Sequence, residues 1–420
     1  MSPVVFLVTL FLSVPVAIVL SVTAIWYIWE SGNTILYDSF APKMFGGLEN
    51  YGLLAIPLFM LTGELMNEGG MTRRLIALAR IFVGGFRGGL AYINLLSNMF
   101  MAAIIGSATA QIAVMSRAMV PAMQDEGYDR GFATATTAAG GLLAPVIPPS
   151  MMFVIFGVLA QIPIGEMFIA GILPGLILAA SFALVIALIG WRQQFPKGNW
   201  MSWQQALKAF AAAIPALLIP VAIIGGILFG IATPTESAAV ASFVALVVGW
   251  LIYGELDPRH LGQMFVRTAA NASMILFMIA AASVFGWVII YEELPQTLAA
   301  LVTTFTSDPF LFLLIVNAAL LLVGMIIDGI AAIILITPIL LPIATGSYDI
   351  SPYQFGVVIC LNLVLGLLTP PVGIGLYVAA SMSETTPGAI LKSLWPFLIA
   401  VAGVLVLLSY VPTLSTYLIQ

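Results

Sequence analysis

The sequence predicts an all-α polytopic membrane protein built from two inverted-topology repeats, each with a re-entrant helical hairpin and a broken helix. Three observations carry that expectation. First, 62% of the 420 residues are hydrophobic and only 7% are charged, whereas about a quarter of the residues of a soluble domain carry charge. Second, apolar runs able to cross a hydrocarbon core of about 30 Å recur from end to end, for example at 4–27, 168–189, 214–232 and 388–408. Third, two proline clusters interrupt apolar helices in the same way: "GLLAPVIPPSMMF" at 141–153 and "GLLTPPVGIGLY" at 366–377. A membrane β-barrel would instead show short alternating segments.

The chain begins "MSPVVFLVTLFLSVPVAIVLSV", with no basic residue before the apolar run and no clear small-residue cleavage site. It reads as a retained first span over 3–28 rather than a removed signal peptide. Further spans follow at 51–67, 129–160, 166–192, 207–231, 236–253, 268–291, 352–382 and 386–417. Hairpin segments lie between them at 88–123 and 309–345. Basic residues favour cytoplasmic loops and so orient the spans. With the N-terminus cytoplasmic, the inner segments hold Arg73, Arg74, Arg80, Arg87, Arg130, Arg192, Lys197, Lys208, Arg259, Arg267 and Lys392, and Arg117 lies nearer that side. Of the 13 basic residues only Lys43 faces out. The outer loops instead carry Asp38, Glu49, Glu292, Glu293, Asp308 and Asp349. The basic amphipathic stretch 71–85 suits the inner headgroup layer, and 199–210 places Trp200, Trp203 and Lys208 at an inner interface. Both are read first as loop anchors.

The two proline breaks sit inside longer matching blocks, each ordered as hairpin, broken helix and final span. The first repeat covers 1–206 and the second 232–420, joined by a connecting span at 207–231. An odd number of crossings separates equivalent points, so the second block is inverted. The first hairpin enters from the cytoplasm and the second from outside. Inverted repeats with discontinuous helices meeting near the midplane are the sequence sign of a secondary transporter.

The hairpins could be re-entrant or pairs of ordinary spans. The segments 92–105 and 330–343 make about 21 Å of helix each, and 111–121 about 16 Å. Those lengths favour tips that stop inside the membrane, at "GSATAQ" (106–111) and "DGIAA" (328–332). A helix stopped mid-membrane leaves carbonyls free at one end and N–H groups at the next. Carbonyls suit Na⁺, and helix N-termini attract anions. Pro145, Pro148 and Pro149 remove three donors from the first break, and Pro370 and Pro371 do the same in the second. Gly373 and Gly375 permit close backbone approach. Side-chain oxygens gather there too: Ser107, Thr109 and Ser150 in one block, Thr369 in the other. Each reads singly as a local cap or, as two symmetric sets, as ligands. Asp328 is the one carboxylate at a tip. It reads as an N-cap, as a functional intramembrane charge, or as both, coupling cation binding to substrate binding.

Other residues read more plainly. Glu236 in "ATPTESAAVA" suits a helix N-terminus capped by Thr233 or Thr235. Glu64 and Arg117 read as inter-helix contacts, and His260 as solvated. Cys360 is the only cysteine, which excludes an intrachain disulfide and a cysteine metal site. No H-E-x-x-H, G-x-S-x-G or paired intramembrane aspartates mark an enzyme. No chain of buried ionisable groups marks a proton pump or channel. Nothing suggests nucleic-acid binding.

The stretches "GSATAQIAVMSRAMVPAM", "AGGLLAPVIPPSMMFVIFG", "TPTESAAVA" and "LGLLTPPVGIGLYV" closely resemble the large membrane subunit of tripartite ATP-independent periplasmic (TRAP) transporters, over essentially the whole chain. The resemblance implies an elevator-type scaffold plus transport domain in the bacterial inner membrane, and Na⁺-coupled uptake of a small organic anion such as sialic acid or a dicarboxylate. It also implies a periplasmic substrate-binding protein and a small four-helix membrane subunit as partners, the latter separate because no fused segment precedes Met1. Carried onto this chain, it implies two or more Na⁺ ions. One would bind at Gly106, Ser107, Thr109, Pro145, Pro148 and Ser150. Another would bind at Asp328, Gly329, Thr369, Pro370, Val372 and Gly373. Substrate would lie between them, against Ser107, Ala108, Thr109, Ser150, Asp328 and Thr369. The alternative is a self-sufficient Na⁺/dicarboxylate symporter of the same architecture.

Overall fold

A computed structural model describes residues 2–12, 14–33, 35–193, 195–198 and 200–419. It begins with α1 (Ser2–Phe11) and α2 (Val16–Ser31), not with one continuous span over 3–28. Pro15 leaves the helix at φ −52°, ψ 133°, because proline offers no N–H to continue the ladder. The chain then turns back on itself. The Ser2 N–H and hydroxyl donate to the Glu30 carboxylate at 3.2 and 2.9 Å, so the two helices form a hairpin. Met1 itself lies outside the described residues.

The rest of the first half runs α3 (Ile35–Gly46), a short 3₁₀ turn at Tyr51–Leu54, α4 (Ala55–Glu68) and α5 (Met71–Val83). The first membrane hairpin is α6 (Gly89–Ile105) and α7 (Ala108–Asp125), followed by the broken helix α8 (Arg130–Gly141) and α9 (Met151–Ala160) and the long α10 (Ile164–Gln193). The second half runs α11 (Trp203–Leu228), α12 (Pro234–Val247), α13 (Leu261–Tyr291) and α14 (Leu294–Phe305). Its hairpin is α15 (Pro309–Gly324) and α16 (Gly329–Tyr348), its broken helix α17 (Pro352–Leu367) and α18 (Ile374–Met382), and its last elements α19 (Pro387–Tyr410) and α20 (Thr413–Thr416). Among the described residues, six helices are long and apolar enough to cross a membrane, or up to eight if each of two bent pairs is one span.

Two groups of helices emerge. In one, α12 packs on α4 as α2 packs on α13, and α11 pairs with α12 as α1 pairs with α2. Hydroxyls pin the α4–α12 contact: Thr62 Oγ1 and Ser242 Oγ lie 2.8 Å apart, and Ser242 also donates to the Leu58 carbonyl at 2.9 Å. The amphipathic α5 packs against α11. It is latched by Glu255, which accepts from Arg73 and from Arg74 (2.8 Å), while the Arg74 guanidinium lies 3.6 Å from the centre of the Tyr253 ring. Burial opposes the Glu255 charge, but the bonds from Arg74 and Arg73 outweigh it and hold the carboxyl below its ordinary range.

The other group contains both hairpins and both broken helices. Its arms are longer than the sequence lengths suggest: 17 and 18 residues in the first hairpin, 16 and 20 in the second. Length therefore does not make them re-entrant, since 20 residues is about 30 Å of helix. Contact does, because each tip lies against the middle of a broken helix. The amphipathic α14 meets α15 at 115°. It occupies the place before the second hairpin that α5 holds before the first. Its stretch "LPQTLAALVTTF" carries no basic residue to mark it.

Candidate functional site

The first tip forms because Gly106 takes a left-handed turn (φ 62°) between α6 and α7, with Ser107 as the residue that opens α7. A Cβ at Gly106 would lie 3.3 Å from the Met151 nitrogen and 3.4 Å from the Pro149 oxygen. The tip is thus seated against the first proline break. The Ser107 and Thr109 hydroxyls lie 3.3 Å apart.

The second tip is built differently. Asp328 opens α16, and one carboxylate oxygen accepts from the Ile330 N–H at 3.0 Å. That is the N-cap role. The tip is tied to its own repeat's break by the Gly373 N–H, which donates to the Met325 carbonyl at 3.1 Å. Gly324 of α15 and Gly366 of α17 cross at backbone contact: a Cβ on Gly366 would lie 2.5 Å from the Gly324 carbonyl carbon.

The repeats also exchange partners. The returning arm α16 packs against α9, and the returning arm α7 packs against α18. Both tips consequently reach one small cavity. It is lined by Gly106, Ser107, Ala108 and Thr109 from the first, Asp328, Gly329 and Ile330 from the second, Pro145 and Met152 from the first break, and α17 residues Leu363, Val364 and Leu367. At about 30 Å³ it has room for water or a small ion but not for an organic acid.

Several expected site residues face elsewhere. The Ser150 hydroxyl donates to the Pro145 carbonyl at 2.6 Å and accepts from the Phe153 N–H at 3.3 Å. The Thr369 hydroxyl donates to the Leu365 carbonyl one turn back, at 2.7 Å. Neither residue lines the cavity, and nor do Pro148, Pro370, Val372 or Gly373. Val372 is exposed. Both hydroxyls do local work at helix ends, while Ser107, Ala108, Thr109, Asp328 and Gly329 meet in space.

Buried amides hold this arrangement, and sequence reasoning missed them. Asn94 on α6 donates to the Thr137 hydroxyl on α8 at 2.7 Å, and Gln111 on α7 donates to the Asn98 carbonyl at 2.8 Å. In the second repeat Asn362 on α17 donates to the carbonyl and side-chain oxygen of Asn317 on α15, each at 2.9 Å. Asn317 in turn donates to the Ser409 hydroxyl at 2.9 Å. A carboxamide within an apolar run must find partners, and that demand was the available signal. The remaining charged residues behave as the sequence suggests. Thr233 and Glu236 form a reciprocal cap, the Thr235 hydroxyl donates to the Tyr51 carbonyl at 3.2 Å, and His260 is solvated. Arg117 reaches the Met382 sulfur at 3.1 Å. No cluster of three metal-ligating His, Cys, Asp or Glu residues occurs among the described residues.

The profile of the "Tripartite ATP-independent periplasmic transporter, DctM component" family matches residues 4–414. The chain belongs to this family. It is a membrane transporter subunit, not an enzyme. Among curated relatives, a putative TRAP transporter large permease of Haemophilus influenzae is 36% identical over 97% of this chain and 95% of its own length. The sialic acid TRAP transporter large permease SiaM of Vibrio cholerae is 34% identical over 97% and 95%. The C4-dicarboxylate large permease DctM of Pseudomonas aeruginosa is 35% identical over 90% and 88%. Among solved structures, the YdaH transporter of Alcanivorax borkumensis superposes with a TM-score of 0.64 at 16% identity, over 90% of this chain and 88% of that one. MtrF of Neisseria gonorrhoeae gives 0.59 at 11% identity, over 90% and 85%. These two share the fold of the DctM-family chain.

Proposed function

We propose that this subunit carries out Na⁺-coupled secondary uptake of a small organic anion across the bacterial inner membrane. A periplasmic binding protein delivers the anion, and a small four-helix membrane subunit completes the transporter. The observation that carries the reading is the small cavity shared by the two hairpin tips, one bearing hydroxyls and the other the Asp328 carboxylate. Hydroxyls, carbonyls and one carboxylate form a hard-oxygen donor set suited to Na⁺. A cation beside Asp328 offsets the repulsion that this carboxylate would exert on an anion. The chemistry of the cargo follows the relatives, which are named for sialic acid and C4-dicarboxylate. Alternating access follows by an elevator motion, with the α2, α4, α12 and α13 group fixed while the hairpin group slides.

The test is uptake of sialic acid or succinate into proteoliposomes under an inward Na⁺ gradient. Uptake requires the binding protein, the small subunit and Na⁺ together. Uptake by this chain alone would favour a self-sufficient Na⁺/dicarboxylate symporter, and uptake indifferent to Na⁺ would reject the coupling.

From the α1–α2 hairpin we also propose that the N-terminus lies outside. The expectation of a cytoplasmic terminus rested on one crossing over 3–28. With the face that carries Arg73, Arg74 and Arg259 inside, Glu30 lies outside, and Ser2 beside it lies outside too. A Ser2→Cys variant labels in intact spheroplasts with a membrane-impermeant maleimide, with no background from the fully buried Cys360. Labelling only after lysis would restore the cytoplasmic terminus.

A further inference from the structure

Ser107 and Ile330 also line a second, wider cavity of about 420 Å³, a volume in the range of small-ligand sites. It runs between the hairpin tips and the scaffold helices α4 and α13, towards the end where α4 stops at Glu68 and α13 begins at Leu261. Its lining is largely apolar with a few amides, and it includes one acid and one base, Glu64 and Arg267. The Arg267 guanidinium lies 3.3 Å from the Glu64 carboxylate, with side-chain exposures of 56% and 28%. A pair that open to water contributes little to folding. Arg267 lies two turns into α13, just before the apolar span at 268–291, so it stands at the inner mouth of this cavity. The small cavity at the tips offers no cation side chain of its own among its lining residues.

Resting on the transport reading above, we propose that Arg267 is the inner-face counter-charge for the organic anion, with Glu64 its built-in competitor. An anion leaving the tips meets a guanidinium whose fork matches a carboxylate. One arm of that guanidinium already faces Glu64 at 3.3 Å, so the anion is attracted but not trapped. Removing Glu64 leaves Arg267 free to retain the cargo. Removing Arg267 leaves Glu64 to repel it. The two halves of one ion pair therefore have opposite effects, which a merely structural pair does not.

The experiment uses the complete transporter in proteoliposomes, with sialic acid or succinate as cargo, and reads half-saturation separately from the inner face (efflux from preloaded vesicles) and the outer face (binding-protein-dependent uptake). Arg267→Gln raises the inner-face value about tenfold, the loss of roughly one charge-assisted contact. Glu64→Gln lowers it and slows turnover, and Arg267→Lys, which keeps the charge but loses the fork, raises it by less than Arg267→Gln does. The outer-face value is unmoved in all three. Equal shifts in Arg267→Gln and Glu64→Gln, or an unchanged inner-face value in Arg267→Gln, overturn the proposal while leaving the transport reading intact. A wild-type protein without Na⁺-driven flux of either cargo overturns both.

Discussion

Replacing Asp328 by Asn is expected to abolish most of the Na⁺ stimulation of uptake while leaving the protein folded. Asn is as good an N-cap as Asp, so the bond from the Ile330 N–H, 3.0 Å in the native structure, survives the change. What goes is the one carboxylate in the cavity shared by the tips. A contact to a charged group is worth about 1.5–3 kcal/mol, which corresponds to roughly a ten- to hundredfold loss in apparent Na⁺ affinity. Initial uptake rates at graded Na⁺, set beside thermal melting in detergent, separate the two roles. Asp328→Ala loses the cap as well, about 1 kcal/mol of stability, and melts lower. If Asp328→Asn keeps wild-type Na⁺ activation, Asp328 is a cap alone and the coupling ligand lies elsewhere.

The second large effect is structural. Gly366→Ala places a methyl 2.5 Å from the Gly324 carbonyl carbon, 2.6 Å from its Cα and 2.9 Å from the Met325 nitrogen. All three are backbone atoms, so no side chain can swing aside. Overpacking of a core costs about 1–3 kcal/mol even where neighbours can relax, and this site belongs at or above the upper end. The melting temperature is expected to fall sharply and protection by Na⁺ to disappear, because separating α15 from α17 moves the Asp328 tip. Gly403→Ala in α19 is the control: nothing lies within 4 Å of the place its methyl would take, and alanine is the better helix former. A Gly366→Ala protein that melts with the wild type would mean that the α15–α17 crossing is looser than the structure shows.

Much of this fold is legible one residue at a time. The two proline breaks, the polar tips and the Thr233–Glu236 cap are local consequences of proline lacking a donor and of short polar side chains seeking backbone. The reversal at Pro15 is not legible in this way, because the run from Val4 is apolar on both sides of it and hydropathy alone does not register a change of direction. The amphipathic α14 is equally silent, since it lacks the basic residues that mark α5. The Asn94–Thr137 and Asn317–Asn362 bonds join residues far apart in the chain, so only their demand for partners is visible beforehand.

By itself the sequence determined the membrane class, the duplication and its inversion, and the places where helices must stop, because each follows from solvation, charge placement or a missing N–H within a few residues. The tertiary structure alone decided which polar groups meet. Ser150 and Thr369 satisfy their hydroxyls within their own broken helices, while Ser107, Thr109 and Asp328 come together because each returning arm packs on the other repeat's broken helix. A chemically suitable oxygen can serve a shared site only where packing between segments distant in the chain brings it to the same cavity as the others.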